Sequence, residues 1–87
     1  MATDIEFFLY SRESCHLCHE FKRRLDSLLK GPNHRCRVVD IDGDAELGHR
    51  YGARLPVLVA AGTEICEGVF DEAAIRAFIK EQEDLPA

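Results

Sequence analysis

The sequence predicts a single α/β domain in which a central four-stranded mixed sheet is flanked by helices, in the order βαβαββα. Three observations lead there. Short apolar, aromatic or β-branched runs at residues 5–10, 35–41 and 55–61 have the length of buried strands. Between and after them, apolar residues recur every three or four positions, as they do on one face of a helix. A glycine turn then joins the third run to a fourth strand. With 87 residues, 46% of them hydrophobic, and no Gly/Ser-rich, Pro-rich or repeated stretch, the chain reads as one globular domain over its whole length.

Each element has its own signal. IEFFLY (5–10) is too short and too aromatic for a helix. Leu17, Phe21, Leu25 and Leu28 then form one stripe of a helix over 15–29, which Gly31-Pro32 stops. RCRVVDI (35–41) is the second strand, parallel to the first because a helix lies between them. Asp44 caps a short second helix that places Leu47 and Tyr51 on one side and ends at Gly52. LPVLVAA (55–61) opens on a proline at its first strand position, and Gly62-Thr63 turns the chain into EICEG. The last helix, over 71–82, starts at Asp71 and Glu72 and turns Ile75, Phe78 and Ile79 to the sheet.

Charge and termini exclude several functions. A net charge of -5 argues against general affinity for nucleic acid or anionic membranes, which reward basic surfaces. The local exception, Lys22-Arg23-Arg24, falls on the solvated side of the first helix. MATDIEFFLYSRE has no basic n-region and only a short apolar run, so neither a secretory signal nor a transmembrane span is expected. If the chain is complete it is cytoplasmic, where thiols are kept reduced and four cysteines point to catalysis, metal binding or packing.

SRESCHLCHE (11–20) concentrates the chemistry. Cys15-x-x-Cys18-His19 has the spacing of a c-type haem attachment site. Against haem stand the absent export signal and the lack of any methionine after Met1 to serve as a second axial ligand. A closed zinc site needs a second ligand pair, and His34, Cys36, His49 and Cys66 are scattered without ligand spacing, so no metal ligands are assigned. An iron–sulfur cluster shared between two chains stays open as an alternative. So does a non-catalytic interaction domain. The dithiol reading needs only what is present. Cys15 sits where the first strand gives way to a helix, beside unpaired backbone N–H groups and the positive end of the helix dipole. There cysteine pKa values fall from roughly 8.5 to about 3.5–7.5. Protonated Arg12 and His16 would add to this, and Glu13 would oppose it. Cys18, one turn on, can reach the Cys15 sulfur, so Cys15 attacks a substrate disulfide and Cys18 resolves the mixed disulfide.

Other motifs read more plainly. DIDGD (40–44) has its glycine at the fourth place and Tyr51 at the twelfth, so it is a strand-to-helix turn with capping aspartates and not a calcium loop. His19 is expected at the surface, and Cys36 and Cys66 as small apolar strand residues. Cys66 precedes Glu67-Gly68, and if exposed it would offer a second redox or regulatory thiol.

Taken together, LYSRESCHLC, VVDIDGDAEL, YGARLPVL and CEGVFDEAAI resemble the small bacterial glutaredoxin-like proteins of the thioredoxin-fold superfamily. The resemblance spans nearly the whole chain. It implies a thiol–disulfide oxidoreductase with Cys15 as nucleophile and Cys18 as resolving cysteine. It also implies a cis-proline at Pro56, a Leu55 backbone that pairs with an extended substrate, Arg12 near a glutathione carboxylate and Asp71 near the γ-glutamyl end. No resident cofactor is implied, and glutathione would act as reductant or co-substrate. The expected partners are disulfide-containing proteins or glutathione mixed disulfides, met by a monomer. Glutaredoxins usually carry an aromatic residue between the cysteines, Thr-Val before the proline and a Gly-Gly pair. Here the corresponding residues are His16-Leu17, Arg54-Leu55 and the single Gly68.

Overall fold

The computed structural model describes residues 4–29 and 34–85. It contains strands β1 (Ile5–Ser11), β2 (His34–Asp40), β3 (Val57–Ala60) and β4 (Thr63–Glu67), with helices α1 (His16–Leu28), α2 (Ala45–Tyr51) and α3 (Glu72–Glu83). Their order is the expected βαβαββα. The strands form one mixed sheet in the order β2-β1-β3-β4, in which β1 is parallel to β2 and antiparallel to β3. Gly31-Pro32, expected to stop the first helix, lies outside the described residues.

Alternation along β1 decides the layers. Ile5, Phe7, Leu9 and Ser11 are buried while the residues between them are half-buried or exposed, so one face of the strand looks into the core. That face meets Phe21 and Leu25 of α1 and Ile75 and Phe78 of α3, with Leu58 and Ala60 beside it on β3. Phe7 and Phe78 meet edge to face with ring centroids 6.1 Å apart. Taking each large apolar side chain of this cluster out of water stabilises the fold by roughly 1.5–3 kcal/mol. The other face is covered by α2, where Tyr51 stacks on Tyr10 at 4.2 Å. There burial pushes the Tyr10 hydroxyl pKa up, and the Tyr51 hydroxyl adds to this.

Several elements differ from the sequence expectation in ways the packing explains. Leu17, placed on the buried stripe of the first helix, is 62% exposed, and Cys18 at 2% takes its place. The stripe is therefore 18, 21 and 25, with Cys18 beside Leu9 and Ser11 of β1 and half-buried Leu28 packed on the core as expected. The hairpin turn is Ala61-Gly62, both at positive φ, with Thr63 already paired to Ala60. Such a two-residue turn needs left-handed backbone at both positions, which glycine supplies freely and Ala61 adopts at a cost. β3 starts at Val57 rather than at 55, although the Pro56 carbonyl accepts the Gly68 N–H at 2.7 Å and so begins the pairing with the opposite strand.

A register shift opposite Leu58 and Val59 leaves Ile65 as the extra residue of a bulge in β4. Both Ile65 and Cys66 consequently pack against the core cluster, which strict alternation would forbid. Replacing Leu25, fully buried at the centre of the α1 stripe, by Ala is expected to lower the unfolding free energy by about 2–5 kcal/mol in urea titration. The same truncation at exposed Leu85 is expected to stay within about 0.5 kcal/mol.

Candidate functional site

One end of the sheet gathers the residues that the sequence singled out. β1 ends at Ser11; β3, running the other way, starts beside it, with Tyr10 opposite Val57. Cys15 therefore follows the end of β1 by four residues, and Pro56 precedes the start of β3 at the same edge. Gly68 is tied to that edge through the Pro56 carbonyl, and Asp71 follows it into α3. The Leu55–Pro56 peptide bond is cis, and Leu55 itself is half-buried and lies outside β3.

The turn before α1 sets the cysteine pair. Cys15 N–H donates to the Arg12 carbonyl at 3.0 Å, closing a tight turn over Glu13 and Ser14. Cys15 then takes the N-cap position with extended backbone, and its Sγ accepts the Cys18 N–H at 3.1 Å. A sulfur here does what a serine oxygen does at other helices, satisfying one of the orphan amides of the first turn. No acidic residue lies in that turn to oppose negative charge on the sulfur. Cys15 and Cys18 are joined as a disulfide, with Cα atoms 5.3 Å apart. Cys15 is half-buried and Cys18 buried, so the first sulfur is the accessible one.

The charged neighbours are engaged as follows. Arg12 donates through Nε to Asp42 at 3.2 Å, in the turn between β2 and α2. Asp71 caps α3, accepting the Ala74 N–H at 3.0 Å. His16 is exposed on the first turn of α1, and together with Glu13, Ser14, His19, Glu20 and Arg23 it lines an open hollow of about 490 Å3. His19 is exposed as expected, and its Nε2–H donates to the Glu13 carbonyl at 2.9 Å. In the 40–44 turn, Asp40 accepts the Asp42 N–H and Asp44 the Leu47 N–H, the capping arrangement expected of it. Among the described residues, no three His, Cys, Asp or Glu side chains converge as a metal site requires.

Three features escape the sequence. Arg54, just before Leu55-Pro56, is bound through Nε and Nη2 to Glu67 at 2.9–3.2 Å, and through Nη2 to Glu64 as well. Its guanidinium also lies 5.6 Å from the Tyr51 ring centroid. These bonds hold the Glu67 carboxyl below its ordinary value and the Arg54 guanidinium above its own. Hairpin register would put Glu67 near Arg54, but only once the bulge is known. The second feature is an apolar groove of about 400 Å3 beside the pair, lined by Leu17, Phe21, Gly68, Val69 and Phe70, with Glu20 and Arg24 at its rim. Its walls include Leu17 and Val69, at 62% and 73% two of the large hydrophobics most open to solvent among the described residues. Third, Lys22, expected to be solvated with Arg23 and Arg24, is half-buried against Asp26.

Cys36 and Cys66 are half-buried free thiols packed on the core. Burial pushes the Cys36 thiol up to about 11, with Lys22 pulling it down and Asp26 adding to the rise. Burial raises the Cys66 thiol too, while the backbone of Asp71 pulls it back. Since only thiolate reacts, Cys36 stays protonated until the pH approaches that value. In iodoacetamide labelling of the reduced protein at about pH 8, mass spectrometry is expected to show Cys36 modified roughly tenfold or more slowly than an unperturbed thiol of pKa roughly 8.5. Its labelling should accelerate steeply only above about pH 10.

A family model described as "Glutaredoxin-like domain (DUF836)" matches residues 6–80. No curated protein matches the chain. Among solved structures, protein Ne2328 from Nitrosomonas europaea, determined by solution NMR, is 34% identical with a TM-score of 0.80, covering 90% of this chain and 94% of its own. The X-ray structure of the structural-genomics target XcR50 from X. campestris is 36% identical with a TM-score of 0.70, covering 86% and 96%. A point-mutant thioredoxin from Halobacterium salinarum NRC-1 shares 24% identity and a TM-score of 0.63 over 98% and 80%, a likeness of fold alone.

Proposed function

The chain belongs to the glutaredoxin-like (DUF836) family and has the thioredoxin-like fold, and from that premise we propose that it is a thiol–disulfide oxidoreductase reducing protein or glutathione mixed disulfides. The observation that carries this reading is the Cys15 sulfur itself, accessible and capping α1 directly opposite a buried Cys18 with which it forms a disulfide.

The reaction follows from that geometry. In the reduced protein the Cys15 thiolate, held by the Cys18 N–H and the positive end of α1, attacks one sulfur of a substrate disulfide. The Cys15–substrate S–S bond forms, the substrate bond breaks, and the other substrate sulfur leaves as thiolate to take a proton from water. Cys18 then gives up its proton and attacks the Cys15 sulfur, forming the Cys15–Cys18 disulfide and releasing the second substrate thiolate. Two electrons from a thiol reductant such as glutathione restore the dithiol.

The surroundings favour an extended polypeptide as substrate. Leu55, free of the β3 ladder and followed by the cis bond to Pro56, offers its backbone to an added strand. The groove of Leu17, Val69 and Phe70 suits an apolar side chain near the substrate cysteine. Arg12 and Asp71, the residues expected to hold glutathione, are already bonded to Asp42 and to the start of α3. Glutathione in this reading serves chiefly as reductant. No helix among the described residues is long and apolar enough to cross a membrane, and we place the reaction in the cytoplasm, where a thiol pool can recycle the pair.

The Cys15→Ser protein is expected to lose disulfide reductase activity by roughly a thousandfold or more, since the group that forms the covalent intermediate is gone. Cys18→Ser is expected to keep the first attack and accumulate a stable Cys15 adduct, visible by mass spectrometry after incubation with glutathione disulfide. Reductase activity that survives in Cys15→Ser would remove the mechanism.

A further inference from the structure

Leu55 sits between two backbone anchors. Before it, the Arg54 N–H donates to the Tyr51 carbonyl at 2.8 Å, and after it the Pro56 carbonyl accepts the Gly68 N–H at 2.7 Å. Among the described residues, neither the N–H nor the carbonyl of Leu55 has a backbone partner in the sheet or in the turns around it. A peptide unit left open in this way, at the sheet edge that carries Cys15, is one that an extended polypeptide can pair with. Such pairing needs the unit held at one angle, yet residues 54–56 belong to no strand or helix.

The Arg54 side chain supplies the missing restraint. Its Nε and Nη2 donate to Glu67 at 2.9–3.2 Å, Nη2 donates to Glu64 as well, and Nη1 reaches the Arg50 carbonyl at 3.4 Å, with the guanidinium 5.6 Å from the Tyr51 ring centroid. Glu67 is also the strand partner of Val57. Arg54 and Val57 are thus fastened to one residue of β4, and only Leu55 and Pro56 lie between the two fastenings. In a regular strand Glu64 and Glu67, three residues apart, would point to opposite faces. The bulge between them turns both carboxylates to the same guanidinium, a re-aiming of side chains that bulges commonly perform.

Building on the oxidoreductase reading, we infer that Arg54 is a positioning residue for polypeptide substrates: bridging β4 and the end of α2, it holds the Leu55 peptide unit in the geometry that an added strand needs. Each of its ion pairs is exposed and weak alone. A substrate that selects one backbone geometry, however, binds in proportion to the time the segment spends in it. The consequence is selective. Substrates that lay a peptide backbone along Leu55 depend on Arg54, and small disulfides without peptide groups do not.

The test compares two disulfides with the same leaving thiol: hydroxyethyl disulfide, which has no peptide group, and a short uncharged peptide whose cysteine is disulfide-bonded to mercaptoethanol. Each is mixed in excess with reduced protein and quenched in acid over time, and mass spectrometry follows formation of the Cys15–Cys18 disulfide against substrate concentration. In Arg54→Met the half-saturating peptide concentration is expected to rise about three- to tenfold, while the limiting rate and the rate with hydroxyethyl disulfide stay within about twofold of the parent. Glu64→Ala/Glu67→Ala, which keeps Arg54 but removes its partners on β4, is expected to reproduce the rise. Arg54→Lys, which keeps the charge without the planar fork, is expected to recover less than half of it. A half-saturating concentration unchanged in Arg54→Met overturns the inference. So does full recovery in Arg54→Lys or parent-like peptide handling in Glu64→Ala/Glu67→Ala, either of which makes Arg54 a bare charge felt by the substrate. An equal slowing with both disulfides overturns it too, because that is a general loosening of the site. The reading beneath it fails separately: a parent protein that neither disulfide oxidises overturns the dithiol mechanism, whereas a parent oxidised by hydroxyethyl disulfide leaves Arg54 alone under test.

Discussion

The arrangement of the cysteine pair depends on one hydrogen bond, from the Cys18 N–H to the Cys15 sulfur. A helix must satisfy its first amides somehow, and most do so with a serine, threonine or aspartate oxygen. Using a cysteine makes the cap and the disulfide sulfur the same atom. The sulfur is then fixed by the backbone of its own partner cysteine, so its position follows from the start of α1. The close turn over Glu13 and Ser14 and the exposure of Leu17 both follow from where that helix has to begin.

The opposite wall of the site is held by charge. Arg54 ties the segment before Leu55-Pro56 to Glu64 and Glu67 of β4 and rests near Tyr51, which in turn stacks on Tyr10 of β1. The ion pairs are solvent-accessible and individually weak, but with the contacts through buried Tyr51 they span three elements around a short loop. Because the carboxylate acceptors of Glu64 and Glu67 converge on one planar guanidinium, a lysine there could not reproduce the geometry. Phe70 gives the groove side a comparable anchor, edge-on to Phe21 at 5.0 Å with the Arg24 guanidinium 4.3 Å from its ring centroid.

The fold is largely legible in the sequence because its signals are local. Strand and helix periods, the caps at Asp44 and Asp71 and the Cys15-x-x-Cys18 spacing each act within a few residues, and the order of elements follows from them. What escapes needs the sheet first. Leu17 and Cys18 satisfy the helical stripe equally well, and only the end of β1 decides between them. The bulge at Ile65 has no glycine or proline to announce it, so the shared burial of Ile65 and Cys66 cannot be read from alternation. The bonds of Arg54 depend on that bulge. Lys22 reads as one of three basic residues in a row, but helical geometry separates it from Arg23 and Arg24 by turning it toward β2. For Arg12 and Asp71 the family resemblance supplies expected roles, and the structure shows both near that same end of the sheet with intramolecular partners already in hand.

The position of β2 at one margin of the sheet has a bearing on how the protein behaves in a crowded solution. A bare strand margin invites the matching strand of another copy, and here that pairing would bring Arg35 and Arg37 close to their own counterparts. Like charges on facing strands repel, with only the 3.9 Å pair from Arg37 to Glu6 to soften them. Val38 directly follows Arg37, 48% exposed, at the rim of a space behind Cys18. Repulsion of this kind disfavours pairing of copies along the β2 margin, the same margin on which Val38 borders that space.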